Sequence, residues 1–362
     1  MEAKQKLLLT FFCYSLLFLF SGSAGVDGSS SHRRHHHHGH RHLFKFKPSK
    51  LFVFGDSYVD TGNNRKSSGS SWKAPYGITF PGKPAGRYSD GLVLTDYLAR
   101  FIGIKSPIAY RWRNLGVKLL KYGVNFAYGG SGVFDTPVQY PNMTTQIDYF
   151  QDMINHKIYS SMDIEGSVAL VSAAGNDYSA FIARNSSIQA LQEFIPQVVN
   201  QIALNLKRIN DLGVKTIAVT GLQPLGCLPS STVLSSFRQC NDTQNILVGL
   251  HNQLLQQAVA KLKSNATIVM VDLYSAFLTI LENKDDHPGS SEFENPLKPC
   301  CAGVNAASSC ASVDANGTKL YRVCEDPRSA FFWDSVHPTQ EGWQAVYSAL
   351  KSNLSQLVAI VQ

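Results

Sequence analysis

Four short segments of this 362-residue chain carry residues that could do acyl chemistry together. Phe54-Gly55-Asp56-Ser57-Tyr58 closes an apolar run and opens into a polar loop with Asp60, Gly62, Asn63 and Asn64. Ser57 then stands at the carboxyl end of a strand, where open α/β sheets place their sites. A serine hydroxyl is a weak nucleophile until a base takes its proton and a third group orients that base. Phe332-Trp333-Asp334-Ser335-Val336-His337-Pro338 offers both. A tight turn brings the Asp334 carboxylate against one imidazole nitrogen of His337 and leaves the other free to accept a proton. Pro338 suits a first helical position, which puts His337 at the entrance of the last helix. Outside a histidine-rich leader the other histidines are His156, His251 and His287, and the first two fall inside helical patterns. Each segment also has a plain reading: a turn after a strand for Ser57, a capping or surface pair for Asp334 and His337.

Attack on an acyl carbonyl develops a negative oxygen that needs donors. Val124-Asn125-Phe126-Ala127-Tyr128-Gly129-Gly130-Ser131-Gly132 has glycines that let backbone N–H groups approach a ligand closely. Ala173-Ala174-Gly175-Asn176-Asp177 offers the side-chain amide of Asn176. Taken singly, either is an ordinary glycine turn.

Elements able to hold these segments follow from the apolar pattern. Strands are expected at Leu51 to Asp56, Gly123 to Ala127, Val168 to Ala173, Thr216 to Thr220 and Thr267 to Asp272. Helical periodicity is expected in Asp90 to Ile102, Thr145 to His156, Ile188 to Leu212, Thr243 to Lys263 and Thr339 to Val358. Alternating strand and helix units predict an α/β fold, a three-layer α/β/α sandwich around a central parallel sheet of about five strands. All four segments then fall at the carboxyl ends of successive strands.

In that order the segments resemble the four blocks of the plant GDSL esterase/lipase family, within the SGNH hydrolases. The likeness spans the chain after residue 50, including Phe332-Trp333-Asp334 before His337-Pro338-Thr339 and Gly221-Leu222-Gln223-Pro224-Leu225-Gly226-Cys227. The resemblance implies a flavodoxin-like fold, with Ser57 as nucleophile, His337 as general base and Asp334 as its orienting carboxylate. It implies oxyanion donors from the Ser57 N–H, Asn176 and a glycine, Gly132 fitting best and Gly130 the alternative. It implies no metal and no organic cofactor. Tyr58 replaces the leucine of the family name, at a position outside the chemistry.

Lys4 and Lys6, the apolar run Leu7 to Phe20 and the small residues Gly22-Ser23-Ala24 read as a signal peptide over residues 1–24. The run is about 14 residues, short of the roughly 20 that span a bilayer. Residues 25–50 form a basic tail with seven histidines between His32 and His42, expected to be disordered and able to bind divalent metals. Residues 51–362 are expected to form a single domain. Six of the seven net positive charges lie before residue 51, so the folded part has no basic field for a nucleic acid. Cys13 leaves with the signal. Cys227, Cys240, Cys300, Cys301, Cys310 and Cys324 remain for three disulfides, Cys227 with Cys240 the first choice. Sequons at Asn142, Asn185, Asn241, Asn265, Asn316 and Asn353 fit an extracellular, secreted glycoprotein.

The expected function is a secreted, monomeric serine esterase or lipase acting on an acyl ester through an acyl-enzyme. An acyltransferase would use the same residues, and a non-catalytic binder would share the fold. The loops Thr61 to Gly86 and Cys300 to Cys324 are expected to shape the pocket.

Overall fold

In a computed structural model, residues 47–184, 187–262, 265–282 and 293–359 are described. The signal peptide, the histidines of the tail and Asn185 lie outside these residues.

The order of the main sheet is β2-β3-β1-β4-β5-β6, formed by β1 (Lys50–Gly55), β2 (Ile108–Ala109), β3 (Val124–Asn125), β4 (Ser167–Ser172), β5 (Thr216–Thr220) and β6 (Thr267–Val271). Every pairing in it is parallel. It has one strand more than the five expected. The two-residue β2 is too short to leave a periodic signal in the sequence.

Side chains alternate across a strand, so a strand with both faces buried must be apolar throughout. Leu51 and Val53 of β1 point into one core and Phe52 and Phe54 into the other. Val168 and Leu170 of β4 join the first core, Ala169 and Val171 the second. Helices cover both faces, which gives the three layers. The first core contains α1 (Leu94–Phe101), α8 (Leu273–Glu282) and α9 (Gln340–Ala359), through residues such as Leu98, Phe277 and Trp343. The second contains α2 (Met143–Asn155), α5 (Ile188–Asp211) and α7 (Asp242–Lys261), through Phe150, Ile202 and Leu255. Phe52 and Phe54 are fully buried, and each such side chain contributes about 1.5–3 kcal/mol. Short helices α3 (Ser161–Glu165), α4 (Gly175–Arg184) and α6 (Pro229–Thr232) complete the set.

Two differences at helix starts bear on the site. The stretch Asp90 to Val93 is not helical, because the Asp90 carboxylate is used to accept the N–H of Gln340 at 2.7 Å and α1 begins only at Leu94. The last helix begins at Gln340, not beside His337. Pro338 pairs with Phe332 in an antiparallel bridge, and Thr339 Oγ1 accepts the N–H of Gly342 at 2.8 Å as a cap. Pro338 is therefore no first helical residue, and His337 sits on a pinned turn.

Three disulfides join Cys227 to Cys240, Cys300 to Cys324 and Cys301 to Cys310. The second links the outer ends of the antiparallel pair β7 (Cys301–Gly303) and β8 (Tyr321–Val323), and the third ties β7 to the loop between them. Among the sequons, Asn265 and Asn316 are exposed. Asn142 and Asn241 cap α2 and α7 by accepting the N–H of Thr145 and Gln244. Asn353 donates its Nδ2, the atom a glycan would need, to the Met270 carbonyl at 3.0 Å.

Candidate active site

The chain crosses from one side of β1 to the other between β3 and β4, and the crevice beyond the carboxyl ends of strands at such a point is where a site forms. β1 ends in Gly55, whose φ is +143° and where an added Cβ would lie 1.9 Å from the Ser172 carbonyl oxygen of β4. Only glycine passes there. Gln146 of α2 clamps the same peptide, accepting the Gly55 N–H at 2.7 Å and donating to its carbonyl at 2.9 Å. The turn closes with the N–H groups of Val59 and Asp60 on the Asp56 carbonyl, and Ser57 rides on it, 7% exposed.

His337 arrives from 280 residues away and its Nε2 lies 2.7 Å from Ser57 Oγ. Its Nδ1 lies 2.8 Å from both Asp334 oxygens. Asp334 also accepts the backbone N–H groups of Val336 and His337, each at 2.8 Å, and the Tyr76 hydroxyl at 2.7 Å. Burial alone would raise the pKa of this carboxyl. The His337 charge and these donors outweigh it and hold the group below the ordinary carboxylate value.

Around the imidazole stand two tyrosines. Tyr88 stacks on it with ring centroids 4.9 Å apart, and Tyr58 meets it edge-on at 5.8 Å. The Tyr58 hydroxyl donates to the Val336 carbonyl at 2.8 Å. The substitution of leucine by tyrosine is thus not idle: it ties the nucleophile turn to the segment bearing His337, which leucine could not do.

The polar loop after Ser57 builds the next wall. Asp60 accepts the N–H groups of Gly62, Asn63 and Gly129. Asn63 donates to the carbonyls of Asn125 and Ala127, and Asn64 to that of Gly129. On the far side Asp177 takes the N–H groups of Val133 and Phe134, and the Ser131 N–H bonds the Tyr128 carbonyl. Within residues 129–134 this engages every N–H except those of Gly130 and Gly132. Gly130 lines the same cavity as Ser57. Gly132 lies against Asp177, whose Oδ1 would be 2.5 Å from an added Cβ, and is not part of that lining. Asn176, on the first turn of α4, uses one amide hydrogen on the Ser131 carbonyl at 2.9 Å, which leaves the other. Ala174, two residues earlier, is held at φ +105°, backbone strain of the kind that gathers at functional sites.

A cavity of about 540 Å³ opens above these groups, lined by Ser57, Asn176 and His337 together with Arg65, Ser68 and Tyr140. The Thr61 to Gly86 loop supplies part of this wall, as expected. The cysteine-rich insertion supplies none. Its backbone bonds instead to the segment before Asp334, with Cys300 N–H on the Phe332 carbonyl at 2.9 Å and Cys301 N–H on that of Trp333 at 2.6 Å. It braces the acid–base turn from behind.

A family model described as GDSL-like Lipase/Acylhydrolase matches residues 51–350. The chain belongs to that family. A GDSL esterase/lipase of Arabidopsis thaliana is 57% identical over 96% of this chain and 96% of its own. A second from the same plant is 53% identical over 94% of this chain and 97% of its own. Acetylajmalan esterase 2 of Rauvolfia serpentina is 30% identical over 80% and 86%. By family, this GDSL chain is a carboxylic ester hydrolase. Among its described residues, no helix is long and apolar enough to cross a membrane.

Sequence reasoning did not single out Tyr76, Tyr88 or Gln146. They reach the site from loops and from a helix whose pattern signals only packing, so the signal lay in their buried polar ends. Asp56 is a further buried carboxyl beside Ser57, accepting the Tyr58 N–H at 3.0 Å. Burial pushes it up to about 7, against the pull of that N–H and of His337. In the unfolded chain it ionises near its ordinary value of about 3.9. The group therefore costs stability increasingly as pH rises from about 4 to about 7, and fully above that. Asp56→Asn, which keeps an acceptor for Tyr58, is expected to raise the melting temperature by several degrees at pH 8 and hardly at pH 4. Thermal melts of both proteins across that range check it.

Proposed function

We propose that this GDSL hydrolase is a secreted serine esterase that cleaves its substrate through an acyl-enzyme on Ser57. The hydrogen-bonded line from Ser57 Oγ through His337 to Asp334 carries the reading. His337 Nε2 accepts the serine proton as Oγ attacks the ester carbonyl carbon. The tetrahedral adduct collapses as that proton passes to the leaving alkoxide oxygen, which departs as the alcohol. Water then repeats the sequence on the acyl-enzyme, gives up a proton to His337 and releases the acid. Asp334 keeps Nδ1 protonated and offsets the imidazolium charge in each step.

The negative oxygen of both adducts is stabilised by the Ser57 N–H, the Gly130 N–H and the free amide hydrogen of Asn176. Of the two glycines with an unengaged N–H, Gly130 is taken for this role rather than Gly132 because it borders the cavity with Ser57. Three disulfides support folding in an oxidising compartment, the destination that the leader at residues 1–24 would give.

A fluorophosphonate probe tests the reading. Labelling on the tryptic peptide that contains Ser57, lost when His337 is replaced, is expected. Folded protein that takes no label would remove the proposal. Asn176→Ala is expected to lower kcat by about 10²- to 10³-fold with little change in KM, since its amide serves the charge that develops during attack. Steady-state kinetics on a soluble ester measure this.

A further inference from the structure

A second cavity, of about 270 Å³, lies one helical turn along α4 from Asn176. Its walls are mostly apolar, with Ile182 of α4, Leu191 of α5, Leu247 of α7, and Leu222, Leu225 and Leu228 from the loop after β5, and a polar side at Ser231 and Gln244. Two observations place it beside the catalytic cavity. Ser179, on its wall, is three residues from Asn176 on α4, so both lie on one side of the helix. Ser230, also on its wall, donates its N–H to the Ser335 carbonyl at 2.9 Å, beside Val336 and His337 of the catalytic cavity. Gly175, the residue before Asn176, adds no side chain of its own, and the groups nearest to where its Cβ would stand are the Gln223 amide at 3.9 Å and Leu225 at 4.0 Å.

We infer that this cavity receives the acyl chain of the substrate, an unbranched aliphatic acid of about six to ten carbons. The inference rests on the serine esterase reading, because it needs the acyl carbonyl between Ser57 and Asn176. From there an acyl chain extends along α4 into the apolar walls. The alcohol half remains in the cavity lined by Arg65, Ser68, Ser70, Gln139 and Tyr140, whose side chains suit a polar group. Size sets the chain length: an apolar cavity of about 150 Å³ takes up the six carbons of benzene, and this one is nearly twice as large.

Hydrolysis of p-nitrophenyl esters from acetate to palmitate, by the full-length protein and by Ile182→Trp and Leu247→Trp, tests the inference. Burying one more methylene favours the bound state by about three- to fourfold. In the wild type, kcat/KM is expected to rise by about that factor per carbon from acetate to roughly octanoate and then to level or fall. In each tryptophan variant the octanoate-to-acetate ratio is expected to drop at least about tenfold. A ratio is unaffected by the fraction of protein that folds. A wild-type profile that is flat or falls from acetate overturns the inference, as does a steep profile that both variants retain. In either case fluorophosphonate labelling of Ser57 would still uphold the esterase reading. Absence of both turnover and labelling would overturn the two together.

Discussion

Alanine at position 57 is expected to lower kcat for any ester by about 10⁵- to 10⁶-fold, the scale on which serine hydrolases lose their nucleophile. The loss has a simple origin. Without Oγ no acyl-enzyme forms, and the remaining rate is direct attack by water, helped by the oxyanion donors and by binding alone. The fold should not suffer. The Ser57 hydroxyl is bonded to His337 at the floor of an open cavity, so its removal exposes Nε2 to solvent and leaves no core void. A melting temperature close to that of the wild type, with kcat reduced as stated, is the expected pair of measurements. Turnover within tenfold of the wild type would show that another group carries the acyl chain.

Asparagine at position 334 should cost about 10⁴-fold in kcat for a different reason. Asp334 accepts four hydrogen bonds, from the His337 ring, the Val336 and His337 N–H groups and the Tyr76 hydroxyl. An amide has one oxygen for this work. If that oxygen keeps the two backbone donors, the NH₂ group faces Nδ1 and favours the tautomer with its proton on Nε2. That proton then points at Ser57, and the ring can no longer act as a base. The turn itself survives, so folding should change little and fluorophosphonate labelling should slow in step with kcat. Unchanged labelling by Asp334→Asn would sink the role given to the carboxylate.

Much of this site was legible before any coordinates. Ser57, Asp334 and His337 are few-choice residues: a strand end, a three-residue spacing and a scarce histidine left little freedom. β1, β4 and β5 were readable because burial on both faces demands unbroken apolar runs. What escaped has physical causes too. β3 spans two residues where the apolar run predicts five, since from Asn125 onward the carbonyls of Asn125 and Ala127 accept from the Asn63 side chain instead of a neighbouring strand. Gly129, Gly130 and Gly132 look alike in sequence, whereas in the fold Asp60 engages the Gly129 N–H and of the other two only Gly130 borders the cavity. Tyr58 stands where the family name has leucine, and no local pattern shows that its hydroxyl makes a contact 278 residues away. Such contacts depend on tertiary distance, which no local pattern records.

The cysteine-rich insertion gives maturation a chemical checkpoint. Its two disulfides start from Cys300 and Cys301, whose N–H groups hold the carbonyls of Phe332 and Trp333, two and one residues before Asp334. The nucleophile turn has its own fastening to the sheet, through Gly55 and Gln146, besides the Tyr58 tie to Val336. In a reducing environment the chain can thus assemble its sheet and seat its serine while the base stands on a segment without covalent support. Oxidation completes the second half of the machinery. An ester hydrolase so divided is expected to gain its full support only where disulfides form.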